Sequence, residues 1–150
     1  MPQSYGSLYV HVIFSTKRRQ KLLSNELHKE FALYITPILR SHNAYLIAAG
    51  GISDHVHLLI DLGREVSLAT LLRELKATSS SWLRRKIDQD FNWQSGYGYF
   101  SVSPNHVQQV IHYIEHQETH HLAKTFKEEF EEILTVAGIE FDSEILWKDE

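Results

Sequence analysis

The 150-residue sequence contains no cysteine. That excludes disulfides, thiolate metal sites and a cysteine nucleophile, and it fits a reducing cytoplasm. Proline occurs three times and glycine seven times, too thinly for a flexible linker or a low-complexity tract. Internal repeats are lacking as well, so one domain over 1–150 is the simplest organisation. No apolar run approaches the roughly 20 residues of a membrane span. The start, MPQSYGSLYV, has neither the charged head nor the apolar stretch of a secretory signal. A cytoplasmic location with no membrane partner is therefore expected. Positive charge is also in deficit, with 15 Lys+Arg against 19 Asp+Glu, which at first sight argues against a nucleic-acid partner.

What is present reverses that last inference, because the charge is segregated. Residues 1–123 carry 12 basic and 10 acidic side chains, whereas 124–150 carry 3 and 9. The body is mildly basic and holds two clusters, KRRQK at 17–21 and RRK at 84–86. Such clusters either neutralise phosphates or form solvated faces.

Hydrophobic periodicity gives the element order. SLYVHVIFS (7–15) alternates Leu8, Val10, Val12 and Phe14 with Tyr9, His11 and Ile13, which is a strand pattern. SNELHKEFALYITPILRSH (24–42) has helical spacing at Leu27, Phe31, Ile35, Ile38 and Leu39, with Pro37 expected to kink or break it. AYLIAAGG (44–51) and HVHLLIDL (55–62) are strands joined by a tight reversal. SLATLLRELKATSSSWLRRKI (67–87) is a helix capped by Ser67, with Leu68, Leu71, Leu72, Leu75 and Trp82 facing inward. YGYFSVS (97–103) is a fourth strand. Ser103 and Pro104 then make a favoured start for a helix over 104–122. An acidic helix near 125–137 follows, with Gly138 as its stop. The order β-α-β-β-α-β predicts an α+β fold: a ferredoxin-like antiparallel sheet with helices on one face, plus C-terminal helices. The core sheet would span about 5–103, the next helix about 104–122 and the acidic segment about 124–150.

Two constellations carry chemistry. Side chains alternate across a strand, so His55 and His57 point one way while Val56, Leu58, Ile60 and Leu62 point the other, toward the helices. Two imidazoles at i and i+2 can converge on one divalent ion and leave its other positions open. The alternative is a pair of half-exposed histidines on the less buried sheet face. On the helix over 104–122, Val107, Val110, Ile111, Ile114 and Leu122 make an apolar stripe, with Tyr113 and Gln117 beside it one turn apart. A phenol is a competent nucleophile at phosphorus, and a glutamine carbonyl is a hard ligand suited to Mg²⁺ or Mn²⁺. The alternative is an ordinary amphipathic helix. The same helix holds HYIEH (112–116), the pattern of inverted zinc proteases. The chain is short for such an enzyme, and that reading leaves His55, His57 and the basic clusters unused. His112, His116 and His120, spaced by four, could bind stray Zn²⁺ or Ni²⁺, whereas His106 and His121 gain no role.

Taken together, YVHVIFSTKRRQKLL, GGISDHVHLLIDL, WQSGYGYFSVS, YIEHQETHH and EEFEEILTVAGIEFD resemble, in content and order, the single-tyrosine transposases of the insertion-sequence 200/605 type within the HUH nucleases. The resemblance implies that His55 and His57 are the HUH metal pair, completed by Gln117 around Mg²⁺ or Mn²⁺. It implies that Tyr113 attacks single-stranded DNA, giving a 5′-phosphotyrosine bond and a free 3′-OH. It also implies hairpin recognition at element ends, and a homodimer in which the tyrosine helix of one subunit can serve the other. Lys17, Arg18, Arg19, Lys21, Arg73, Lys76, Arg84 and Arg85 are then the candidates for phosphate contacts. Trp93, Tyr97 and Tyr99 are expected as core or dimer contacts. Two other functions stay open: a silent single-strand-binding regulator derived from such an enzyme, and an HUH nickase of another role.

Overall fold

The computed structural model describes residues 1–148. Its sheet is built from β1 (Tyr9–Ser15), β2 (Tyr45–Ile52), β3 (His55–Asp61) and β4 (Gly98–Val102), in the order β2-β3-β1-β4. All neighbours are antiparallel. Helix α1 (Asn25–Ser41) joins β1 to β2, and α2 (Leu68–Lys86) joins β3 to β4. This is the ferredoxin-like arrangement that the element order predicts.

The first face of the sheet is apolar. Val12 and Phe14 from β1 and Val56, Leu58 and Ile60 from β3 are buried under Phe31, Ile35 and Leu39 of α1 and Leu71, Leu72, Leu75 and Leu83 of α2. Spacings of three and four put each helical set on one stripe, which is why these segments are helices that lie flat on the strands. Ser24 and Ser67 cap the two helices, accepting the backbone N–H groups of Leu27 and Thr70. Trp93 closes the end of this core, and its indole N–H donates to Ser79 Oγ at 3.0 Å.

The second face is covered by the C-terminal helices α3 (Val107–Glu115), α4 (Gln117–His120) and α5 (Phe126–Val136). Ile114 of α3 packs on Ala48 and Leu59, while Phe126, Phe130 and Leu134 of α5 pack around Ile13. Two glycines permit this close approach. A Cβ on Gly50 would lie 2.2 Å from the Ile114 carbonyl oxygen, and one on Gly98 would lie 2.4 Å from the Phe130 ring. Helix α5 stops two residues before Gly138, whose φ of +73° is the left-handed conformation expected of a glycine stop. A final turn, α6 (Ser143–Leu146), precedes Trp147, which meets Phe126 and Phe130 edge-on. The last two residues of the acidic segment lie outside the described residues.

Several expectations are corrected. Pro37 does not break α1, which runs unbroken through it. Pro37 is exposed, so the carbonyl one turn earlier, deprived of its N–H partner, can be met by water. The helix expected over 104–122 is instead a 3₁₀ turn at Pro104–His106, then α3, then α4, with a break at His116 (φ −113°, ψ 31°). Because the chain has already turned by residue 121, Leu122 is 86% exposed rather than part of the apolar stripe. Ser103 does not cap that helix through its side chain, which pairs with His106 Nδ1 instead. Trp82 is half-buried and stacks on Tyr34. Trp93 is a core residue, whereas Tyr99 is exposed.

Candidate functional site

Strand β3 delivers His55 and His57 to the second face, and both are fully buried there. The half-exposed alternative is thereby excluded. A buried imidazole needs partners on both nitrogens, and both histidines have them. His55 Nδ1 lies 2.7 Å from Asp54 Oδ1. His57 Nδ1 lies 2.8 Å from His11 Nε2. The register explains the latter contact: His57 pairs with Ile13, so His11, two residues earlier on β1, is its diagonal neighbour on the same face. The Nε2 atoms of both histidines then point at the C-terminal helices.

The residues that meet them come from three short segments. Gln117, at the start of α4, is buried, with Oε1 3.1 Å from His55 Nε2 and 3.1 Å from His121 Nε2. Glu129 of α5 is buried, with Oε1 3.1 Å from His57 Nε2, 3.4 Å from His55 Nε2 and 3.1 Å from His121 Nε2. Its other oxygen, Oε2, accepts the hydroxyl of Tyr113 in a short hydrogen bond and lies 3.3 Å from His120 Nε2. Tyr113 is thus half-buried at the end of α3, next to the histidine pair. It also borders a cavity of about 340 Å³ lined by His11, Phe100, Glu132 and Ile133.

Burial and charge set the protonation of this cluster. Burial, reinforced by the neighbouring His57, holds His11 down near pKa 3. Burial likewise lowers His57 to about 4 despite the pull of Glu129. For His55 burial also pushes downward, but its hydrogen bonds to Asp54 and Glu129 outweigh it and raise the group to about 9. Burial would raise Glu129, yet hydrogen bonds from His121, His55 and His57 win and keep it ionised. The Tyr113 phenol is pushed well above its ordinary value, first by burial and then by the Glu129 carboxylate.

Such a donor set fits a divalent cation. His55 and His57 engage Asp54 and His11 through Nδ1, which leaves each Nε2 facing an oxygen of Gln117 or Glu129. A divalent ion can take the place of the protons shared at these contacts, since imidazole nitrogens, an amide oxygen and a carboxylate are all metal ligands. His55, His121 and Glu129 place ligand atoms within 4.8 Å of one another. The carboxylate–histidine and histidine–histidine contacts behind His55 and His57 are of the kind that fix tautomer and ring orientation in metal sites.

The four residues expected to carry the chemistry, His55, His57, Tyr113 and Gln117, are therefore brought together within one chain. Sequence reading missed Glu129, His121, Asp54 and His11. His11 was legible in principle, since its parity on β1 matches the face of the histidine pair. Glu129 was hidden among nine acidic side chains in the C-terminal segment. His121 was hidden by the assumption of a continuous helix, which the break at His116 invalidates. The protease pattern is not assembled: His112 and His116 are exposed and stack on each other, and Glu115 is exposed beside them.

The basic candidates divide by what they touch. Lys17, Arg18, Lys21, Arg73 and Arg85 are exposed. Lys76 donates to the carbonyls of Gln94 and Gly96, and Arg84 to Phe91 O and Asn92 Oδ1, so both brace the 88–97 loop. Arg73, Lys76 and Arg84 line a cavity of about 600 Å³ with Trp93, Gln94 and Tyr97. The turn at Lys17–Arg19 abuts the same loop through Lys17 N–H to Asn92 O. Arg19 is half-buried, its guanidinium 4.9 Å from the Trp147 ring.

Comparison with known proteins adds ancestry to this geometry. A family model described as "Transposase IS200 like" matches residues 4–117. The transposases for insertion sequence element IS200 of Salmonella typhimurium and Salmonella typhi are each 25% identical over 114 residues, covering 71% of this chain and 74% of theirs. Among solved structures, a candidate transposase from Deinococcus radiodurans R1 superposes with a TM-score of 0.61 at 24% identity, covering 78% of this chain and 98% of its own. A REP-associated tyrosine transposase bound to a REP hairpin gives a TM-score of 0.58 at 17% identity, covering 79% of this chain and 72% of its own. At these identities the structural likeness is one of fold. No helix among the described residues is long and apolar enough to cross a membrane.

Proposed function

The chain belongs to the IS200-like transposase family, and from that premise we propose that it cuts and rejoins single-stranded DNA through a covalent bond to Tyr113. The observation that carries this reading is the placement of the Tyr113 hydroxyl on Glu129, the carboxylate that also contacts His57 and His55. The nucleophile and the two-histidine pair thus share one neighbour.

In this reading the Tyr113 oxygen attacks the scissile phosphorus in line. A phosphorus–oxygen bond to tyrosine forms, the bond to the 3′ oxygen breaks, and that oxygen leaves as a 3′-OH. Glu129 Oε2 already accepts the phenol's hydrogen bond and is the base nearest the proton that must depart. His55, His57 and Gln117 hold a divalent ion, Mg²⁺ or Mn²⁺, which when bound supplies Lewis-acid polarisation of the phosphate. Asp54 and His11 orient the two imidazoles from behind. Attack by another 3′-OH on the phosphotyrosine reverses the sequence and rejoins DNA, with no nucleotide cofactor.

The DNA partner is a single strand carrying a hairpin. The family membership and the hairpin held by a structural relative of low identity both support that choice. The exposed Lys17, Arg18, Lys21, Arg73 and Arg85 form the phosphate-contacting surface, with Arg19, Lys76 and Arg84 in support. The family resemblance also implies a homodimer. Because Tyr113 meets the histidines of its own chain, each subunit of such a dimer carries a complete centre. Mixing Tyr113→Phe with His57→Ala protein is then expected to recover no activity; recovery would place the tyrosine in trans.

The direct test is incubation with a hairpin-bearing single strand and Mg²⁺ or Mn²⁺, followed by a denaturing gel. A protein–DNA band that EDTA abolishes is expected. Cut DNA with no protein attached would rule out the tyrosine route.

A further inference from the structure

Besides His55, His57 and Gln117, two further donor atoms lie on the same centre. His121 Nε2 is 3.1 Å from Gln117 Oε1 and 3.1 Å from Glu129 Oε1. Glu129 Oε1 is in turn 3.1 Å from His57 Nε2 and 3.4 Å from His55 Nε2. Ligand atoms bound at about 2.1 Å stand about 3.0 Å apart at right angles and about 3.4 Å apart in a tetrahedron. The observed separations, which also serve as hydrogen bonds, are compatible with ligands of one ion. Both added residues are withdrawn from solvent: the His121 side chain is 2% exposed and that of Glu129 1%. A buried carboxylate ringed by imidazoles is an expensive arrangement unless a cation shares it.

Building on the metal site of the preceding reading, we propose that His121 and Glu129 are ligands of the same ion, making a centre of three imidazoles, one amide oxygen and one carboxylate. Two consequences follow from ligand chemistry. Three nitrogen donors favour first-row transition ions over Mg²⁺, which prefers oxygen and water. The working ion is therefore of the Mn²⁺ or Zn²⁺ class. The acidic C-terminal segment, which lies beyond the matched residues 4–117, also becomes part of the metal centre. Thr125 caps α5 by accepting the Glu128 N–H, and Phe126 and Phe130 anchor that helix on the sheet. These contacts fix where Glu129 stands. One carboxylate oxygen then serves the ion while the other holds the Tyr113 hydroxyl, which ties the nucleophile's position to metal occupancy.

Calorimetric titration of the full chain with MnCl₂ and separately with MgCl₂ tests the assignment. Wild-type protein is expected to bind Mn²⁺ about ten-fold or more tightly than Mg²⁺. Glu129→Gln keeps an acceptor for Tyr113 but removes the charge, and His121→Asn removes one imidazole; each is expected to weaken Mn²⁺ about ten-fold or more. Pulsed EPR of the Mn²⁺ form counts the coordinated imidazole nitrogens, with three expected in wild type and two in His121→Asn. A circular dichroism melt of each variant establishes that it is folded. Folded Glu129→Gln and His121→Asn proteins that both keep wild-type Mn²⁺ affinity would overturn the assignment, as would equal affinity for Mg²⁺. His57→Ala separates this inference from the reading beneath it. If His57→Ala loses Mn²⁺ while the other two variants do not, only the added ligands fall; if it too binds normally, the metal site itself is elsewhere.

Discussion

The two faces of the sheet obey different rules. The first is built of branched and aromatic side chains whose positions matter only through volume and spacing. The second buries His11, His55, His57, Gln117 and Glu129 just as deeply, and each is tolerated there because it has a named partner. Apolar burial is non-directional, so many sequences could have made the first face. Polar burial is directional, and removing one partner leaves another exposed to the full desolvation cost. The first face holds the molecule together, and the second uses that rigidity to keep a nucleophile beside a cation site.

Substitutions on each face separate these roles. The largest effect is expected for Tyr113→Phe on the second face, which should lower covalent adduct formation by about 10³-fold or more while leaving the fold intact; adduct yield against melting temperature measures the split. Leu58→Ala, one residue from His57 but on the first face, should do the reverse. It empties a fully buried site and should cost about 2–5 kcal/mol of stability in urea denaturation, with adduct yield per folded molecule unchanged.

Gly50→Ala tests the seat of the tyrosine helix. A methyl group 2.2 Å from the Ile114 carbonyl must push α3 off the sheet, and a displacement near 1 Å should cost about 100-fold in cleavage rate. Metal binding through β3 should survive this change better than cleavage does, as paired calorimetry and cleavage assays would reveal. Asp54→Asn removes the carboxylate behind His55 without altering its shape, and should weaken divalent-ion affinity about 10–100-fold.

The smallest effect is one of pH, read as melting temperature in protein stripped with EDTA. His55 titrates near 9 in the fold against an ordinary 6.5. Its contribution is therefore complete below about 6.5 and is lost as pH rises through about 9. His57, held near 4 by burial, acts in the opposite sense, with stability lost as pH falls from about 6.5 toward 4. Stability should peak near neutrality, and saturating Mn²⁺ should flatten the alkaline limb, because the ion replaces the proton on His55.

The same contrast explains what the sequence made legible. Strand and helix order followed from periodicity, which is the imprint of apolar burial, so the first face was readable almost residue by residue. On the second face the His-x-His pair and the Tyr113–Gln117 spacing were readable because each lies within one element. The contacts of Glu129, His121 and His11 with the histidine pair join residues 46 to 74 positions apart, and no local period records them. Pro37 and Leu122 were misread for a related reason. Local rules do not say which side of a helix meets water, nor where a helix bends to bring glutamine and histidine onto one centre.

Mapping the covalent bond itself is the most direct test. Adduct formed on a hairpin-bearing strand can be trimmed with nuclease, digested with protease and sequenced by tandem mass spectrometry. A nucleotide joined through its 5′-phosphate to the peptide containing Tyr113 is expected. Attachment to any other side chain, or DNA cut while every Tyr113 peptide remains unmodified, would contradict the assignment of this phenol as the nucleophile.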